Sequence, residues 1–170
     1  MANWSLPEPA DDCDRKLLAD IASHGWHIVG VNADNDGPDF AFSVGLLHTL
    51  GHPEIMIMGL KHPISASLIN DMGDAIRSGT KYEAGKCYDD IAAGFPLAFV
   101  AIDKRYYRDY LGYALWFYRT LDFPVLQCVW PDKSGVFPWE SGYDSRFFDL
   151  QRILGKSTGP GLPDRLGGSG

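Results

Sequence analysis

The sequence predicts an α+β fold, with a mixed, largely antiparallel sheet that is curved or forms a partial barrel and is flanked by three to four helices. Three observations lead to this prediction. Five or six candidate strands are present, helical stretches are interleaved with them, and the first two strands form a hairpin instead of a strand–helix–strand unit. A doubly wound parallel sheet is therefore disfavoured.

The first elements are an extended lead-in and a helix. Residues 1–10 contain two prolines, and a helix is predicted from Asp11 or Asp12 to His24. Acidic side chains suit the positive end of a helix, and Gly25 is a typical stop.

A hairpin follows, in which Trp26 to Val31 and Phe40 to Leu47 are the strands and Asp34 to Gly37 (DNDG) is the turn. One face of the second strand is large and apolar. The other face carries only Ala41, Ser43 and Gly45. Small residues allow close approach of either a packed helix or a ligand, and the pattern leaves both open.

The remaining elements follow from periodicity and from turn residues. Ile55 to Met58 is apolar without alternation, which predicts a strand buried on both faces. The other predicted elements are a loop over residues 48–53, a helix from Pro63 to Gly79, a strand over residues 97–102, a helix over residues 104–121, a strand over residues 125–130 and a short closing helix over residues 147–154.

Composition and charge narrow the function classes. The 170 residues contain 15 Lys+Arg and 22 Asp+Glu, a net charge of −7, so no nucleic-acid partner is expected. No apolar run reaches the roughly 18 residues of a membrane span, and no secretory signal is visible, so we expect no membrane partner and a cytoplasmic location. We divide the chain into a lead-in and helix (1–21), one α+β domain (22–154) and a flexible tail rich in Gly, Pro and Ser (155–170).

Several short motifs occur in a fixed order between residues 22 and 154. They are GWHIVGV from Gly25, FAFSVGL from Phe40, GHPE from Gly51, QCVWPD from Gln127 and FPW from Phe137. This succession resembles the bacterial domain of unknown function 4262 family. The resemblance implies a single small cytoplasmic domain and supplies no reaction, cofactor or catalytic residue.

The candidate catalytic residues are His52, Glu54 and Asp132. An imidazole with a carboxylate beside it can transfer protons, so we take His52 as a base that Glu54 or Asp132 orients. His48 is four residues from His52, but Gly51 and Pro53 disfavour the continuous helix that would align them as metal ligands. No metal site is therefore predicted, and each histidine keeps a purely structural alternative.

Candidate ligand-binding residues surround the small-residue face of the second strand. They are Ser43, Gly45, His48, Trp130 and Trp139. Two tryptophans beside a turn could stack on a planar ring, such as a flavin in a protein of split-barrel type, or simply close a core. No GxGxxG or P-loop motif is present. A flavin phosphate would need Arg77, Lys81 or Lys86, and the sequence identifies no cofactor.

An aromatic and basic stretch follows the strand at residues 97–102. Tyr106, Arg108 and Trp116 are residue types that anchor protein interfaces, so a homodimer or a protein partner is a candidate here. The function favoured by the sequence is small-molecule binding, with hydrolysis or proton transfer in a His/Glu/Asp/Trp pocket. The alternatives are an interaction module without catalysis (immunity, adaptor or regulatory) and the flavin-binding protein.

Overall fold

Six strands form one open, mixed sheet in the computed structural model, which describes residues 5–155. The strands are β1 (His27–Val31), β2 (Phe40–Val44), β3 (Glu54–Met58), β4 (Cys87–Ala92), β5 (Phe95–Ala101) and β6 (Val125–Val129). Their order across the sheet is β1-β2-β3-β6-β5-β4. The α+β fold class is confirmed.

The sheet is antiparallel except at its centre. β1–β2, β2–β3, β6–β5 and β5–β4 pair antiparallel, and β3 and β6 pair in parallel. Every residue of β3 and β6 is buried, as the unbroken apolar run of β3 predicts.

Helices cover both faces of the sheet. They are α1 (Asp12–His24), α2 (Leu46–Leu50), α3 (His62–Arg77), α4 (Tyr107–Tyr110) and α5 (Gly112–Tyr118), with single 3₁₀ turns at Lys104–Tyr106 and Ser145–Phe147. On one face, Ile69 and Met72 of α3 pack on Ile55 and Ile57. On the other, α1, α4 and α5 pack on alternate residues of the same strands, among them Phe42, Val44, Met56 and Met58. The alternation of side chains along β3 thus serves two separate cores.

Three parts of the chain differ from the sequence prediction. β2 ends at Val44 because Gly45 has a φ of 115° and turns the chain into α2, where we expected a loop. The helix expected over residues 104–121 is divided into a 3₁₀ turn, α4 and α5, because Leu111, between α4 and α5, leaves the helical region at φ −116°, ψ 38°. The closing helix is only the turn at Ser145–Phe147.

The predicted tail lies outside the described residues except for Gly155. This glycine is buried, and a Cβ atom there would come within 2.3 Å of Val100 Cγ1.

Candidate functional site

Glu54, a predicted catalytic residue, lies in the interior and closes the N-terminus of α2. Its carboxylate accepts five hydrogen bonds, from Ser43 Oγ (2.8 Å), the backbone N–H groups of Gly45 (3.0 Å), Leu46 (3.0 Å) and Leu47 (3.2 Å), and Tyr118 Oη (2.5 Å). Its exposed fraction is 0%. Gly45 has no side chain to cap the helix, so Glu54 supplies the missing acceptors from the next strand.

The surroundings of Glu54 shift two pKa values. Burial raises the pKa of the Glu54 carboxyl above 4.5, against the effect of the hydrogen bonds that it accepts. The pKa of Tyr118 is also raised, by burial first and then by the adjacent Glu54 charge, so this hydroxyl stays a donor. Ser43 Oγ accepts from the Ile55 N–H at 2.9 Å, so its single proton is directed to Glu54.

His52 is held by backbone groups on both ring nitrogens. Its Nδ1–H donates to the Pro53 carbonyl at 2.8 Å, and Nε2 accepts from the Tyr82 N–H at 3.0 Å. Burial lowers the pKa of His52 below 6.5, and the charge of Lys81 adds to this. The ring is therefore neutral and connects the loop before β3 to the segment after α3.

Asp132 organises the turn after β6. Its carboxylate accepts from the N–H groups of Ser134, Val136 and Asp144, each at 2.9 Å. These bonds, led by that from Val136, hold the pKa of Asp132 below 3.8. Neither His52 nor Glu54 is among its contacts. The three predicted catalytic residues thus occupy three separate environments.

Of the predicted ligand-binding residues, Ser43 and Gly45 meet Glu54 in the interior. Ala41, from the same face, packs with the apolar residues of α3. A Cβ atom on Gly45 would come within 2.9 Å of the Gly25 carbonyl oxygen. The helix α3 therefore packs on this face at Ala41. Helix packing was one of the two explanations for the small residues. His48 joins the cluster through its N–H, which donates to Tyr118 Oη at 3.2 Å.

The two tryptophans anchor the C-terminal segment. Trp130 Nε1 donates to the Met58 carbonyl at 2.7 Å, and the Trp130 backbone exchanges two hydrogen bonds with the Gln151 amide. Trp139 stacks on Phe137 with ring centroids 5.1 Å apart. The suggested phosphate-binding residues are not together either. Arg77 lies over the Trp26 ring, whereas Lys81 and Lys86 pair with Glu83.

The predicted interface residues belong to different short elements. Tyr106 ends a 3₁₀ turn and lies under Arg105, Arg108 is exposed on α4, and Trp116 is half-buried on α5 beside Tyr113. They do not lie on one continuous helix, which the sequence pattern predicted over residues 104–121.

A cavity beside the β1–β2 hairpin is lined by none of the predicted site residues. This hairpin cavity has a volume of about 430 Å³ between the β1–β2 loop, α4 and the segment after Gln151. It is lined by Val31, Asn32, Asp34, Asp36, Gly37, Pro38, Phe40, Asp109, Tyr110 and Arg152. Phe40 and Tyr110 meet edge to face, with ring centroids 5.3 Å apart, and form its aromatic wall.

A second cleft, the α1–α3 cleft, contains a histidine paired with a carboxylate. His27 Nδ1 lies 2.6 Å from Asp20 Oδ2, and Lys16 Nζ lies 3.0 Å from the same oxygen. Burial alone would raise the pKa of Asp20, but the hydrogen bonds from His27 and Lys16 outweigh it and lower the value. The cleft has a volume of about 380 Å³, and Trp26 and Asn70 also line it.

Sequence reasoning did not select the residues of either cavity. The DNDG motif was interpreted only as a turn, and Arg152 lies in a segment without periodicity. The Asp20–His27 pair does carry a signal. The two residues are seven apart, and the stop at Gly25 folds β1 back beside α1. The pair could have been identified from its pattern, which is an acidic residue in the last turns of a helix, then a glycine that ends the helix, and then a histidine.

Two further properties concern metal binding and membranes. Within residues 5–155, no group of three or more His, Cys, Asp or Glu side chains is placed to hold a metal ion. In the same part of the chain, every helix is too short or too polar to cross a bilayer.

Comparison with known proteins gives one family. No curated protein and no solved structure matches the chain significantly. The family model for the domain of unknown function 4262 (DUF4262) matches residues 20–144, which include β1 to β6 and the turn that Asp132 organises. This match covers more than half of the sequence. The chain therefore belongs to the DUF4262 family.

Proposed function

We propose that this protein binds a small molecule in the hairpin cavity. The observation that carries the proposal is the cavity itself, with its volume of about 430 Å³. Ligand pockets in proteins typically measure about 300–1,000 Å³. The hairpin cavity is therefore large enough for a ligand of metabolite size.

The lining of the cavity supports this proposal. Val31, Pro38 and the Phe40–Tyr110 pair offer an apolar and aromatic wall, whereas Asp109 and Arg152 offer charged groups. Ligand sites typically combine an apolar surface with a few polar groups that orient the ligand. The residues come from three separate parts of the chain, so the folded protein presents a site that no single segment contains.

A variant that narrows the cavity tests the proposal. Gly37 lines the cavity and a Cβ atom there would meet nothing within 4 Å, so Gly37→Leu adds bulk without displacing the loop. Gly112 is equally open but lies outside the cavity, so Gly112→Leu is the matched control. A fragment library would be screened by protein NMR on the full chain.

We expect fragments that shift the resonances of the cavity residues. Their affinity should fall at least tenfold in Gly37→Leu and stay unchanged in Gly112→Leu. The proposal would be overturned by a library that shifts no cavity resonance, or by fragments that bind Gly37→Leu as tightly as the parent protein.

A second candidate function, proton transfer, is favoured by the Asp20–His27 pair. Asp20 occupies Nδ1 of the imidazole, which leaves Nε2 to exchange a proton with a molecule in the α1–α3 cleft. Turnover of a panel of chromogenic carboxylic and phosphoric esters tests this function. We expect His27→Gln to lower kcat by about 100-fold or more and His24→Gln, which alters another histidine of the cleft, to leave it nearly unchanged. Equal kcat values for His27→Gln and the parent protein, or no turnover of any ester by the parent protein, would contradict this function.

A further inference from the structure

The acidic side chains of the hairpin cavity have no partner of opposite charge among residues 5–155. Within residues 5–155, Asp36 and Asp109 make no side-chain hydrogen bond or ion pair. Asp34 uses only Oδ1, which accepts from the N–H groups of Asp36 (2.8 Å) and Gly37 (3.1 Å). The cavity therefore presents unpaired carboxylates that a positively charged group would complement.

Arg152 carries the opposite charge into the same cavity. Its main chain is fixed, because its carbonyl accepts from Gln127 Nε2 at 2.6 Å and its N–H meets Met58 Sδ at 3.3 Å. A side-chain hydrogen bond to Tyr110 raises the pKa of Arg152. A guanidinium has five N–H donors, so this bond leaves donors for a carboxylate. No carboxylate of the described residues lies within 4.0 Å of this guanidinium.

We infer that the hairpin cavity takes a small zwitterion of the amino-acid type, with its carboxylate on Arg152 and its ammonium group on the acidic side. The inference rests on the proposed function and specifies the class of ligand. The apolar part of such a molecule would contact Phe40 and Pro38.

Other charge classes match this lining less well. A dianion would face three carboxylates with one guanidinium to compensate them. A simple cation would leave the guanidinium unpaired, and a neutral apolar molecule would leave every charge unpaired. Asp34, Asp36, Asp109 and Arg152 are exposed to water in the free protein. A ligand that displaces this water must offer each charge a partner in its place, so a ligand with both charges is favoured.

Three matched probes test the inference by calorimetry on the full chain at pH 6. L-phenylalanine carries both charges, L-phenylalaninamide only the positive one and N-acetyl-L-phenylalanine only the negative one. We expect L-phenylalanine to bind at least tenfold more tightly than either analogue, because each analogue lacks one of the two charge-assisted contacts.

Two variants test the two charged contacts one at a time. Arg152→Met should weaken the binding of L-phenylalanine and N-acetyl-L-phenylalanine at least tenfold and should not weaken the binding of L-phenylalaninamide. Asp109→Asn should weaken the binding of L-phenylalanine and L-phenylalaninamide but not that of N-acetyl-L-phenylalanine. Arg146→Met, which alters an arginine paired with Asp144 outside the cavity, is the control. Equal affinities for the three probes, or the same loss for all three in Arg152→Met, would overturn the inference. If library fragments occupy the cavity and none of the three probes binds, the zwitterion is excluded and the proposed function stands. If nothing binds, both fail.

Discussion

Glu54 carries a charge into the interior of this protein, and its surroundings explain how the fold accommodates it. The five groups that contact the carboxylate are all donors, three of them backbone N–H groups at the first turn of α2. An unpaired buried carboxylate would cost several kcal/mol. Here the donors offset that cost and connect β2, α2, β3 and α5 at one point.

We expect Glu54→Gln to destabilise the protein by about 2–5 kcal/mol, because an amide NH₂ would face N–H or O–H donors in place of one carboxylate oxygen. Tyr118→Phe removes one donor to Glu54 and the acceptor of the His48 N–H, and it should lower the free energy of unfolding by about 1–3 kcal/mol. Urea unfolding of both variants measures this. A Glu54→Gln protein within 1 kcal/mol of the parent would show that Glu54 is not the structural anchor described above.

His52 gives a prediction for pH dependence. Burial keeps the pKa of His52 below 6.5 in the folded chain, so below pH 6.5 the unfolded chain binds a proton that the folded chain does not. The free energy of unfolding should therefore fall as the pH drops from 6.5 toward the folded pKa, with a slope of at most about 1.4 kcal/mol per pH unit from this group.

Urea unfolding between pH 5 and pH 8 tests the contribution of His52. His52→Gln should remove this part of the slope, and His62→Gln, at an exposed histidine, should keep it. Taking the difference from the parent protein cancels the titration of all other groups. An identical slope in His52→Gln and the parent would refute the prediction.

The residue types that could carry chemistry were identifiable from the sequence, but their surroundings were not. The Tyr82 N–H that binds His52 is 30 residues away, and the Tyr118 hydroxyl that binds Glu54 is 64 residues away. A histidine with a carboxylate two residues later looks the same in the sequence whether it faces a substrate or the backbone. Only the folded chain distinguishes the two.

At the scale of elements, the sequence pattern was sufficient to predict an element where the pattern extended over several residues. α1 and α3 follow from the 3.6-residue pattern, and the central strand β3 follows from an unbroken apolar run. α2 was missed because its five residues depend on a cap supplied by β3, which no local pattern records. The helix expected over residues 104–121 was wrong in its continuity, although its apolar positions still face the core.

The contact between α3 and Trp26 gives a prediction at the element scale. A Cβ atom on Gly73 would lie 2.3 Å from Trp26 Cζ2, and this indole is buried and bonded to Asn70. We expect Gly73→Ala to destabilise the protein by about 1–3 kcal/mol, although alanine is the better helix former. Gly112→Ala, at an open helical position, should be neutral or stabilise by up to about 1 kcal/mol. Thermal unfolding compares the two, and a stabilised Gly73→Ala would mean that the indole can move aside.

At the scale of the whole molecule, stability should decrease from the centre of the sheet outward. β3 and β6 are buried along their full length, whereas the edge strand β4 is partly exposed and its register shifts between Tyr88 and Ala92. We expect the amides of β3 and β6 to exchange hydrogen only by global unfolding and those of β4 to exchange at least 100-fold faster. Native-state hydrogen exchange measures this, and equal protection across the sheet would contradict it.

The parallel pairing of β3 with β6 also has a consequence for synthesis on the ribosome. β3 is complete at Met58, but the strand that covers its second edge begins only at Val125. While the intervening residues are being made, the nascent chain has an apolar strand with an unpaired edge, which is a site for aggregation or chaperone binding. The two halves of the sheet can therefore join only after β6 has left the exit tunnel.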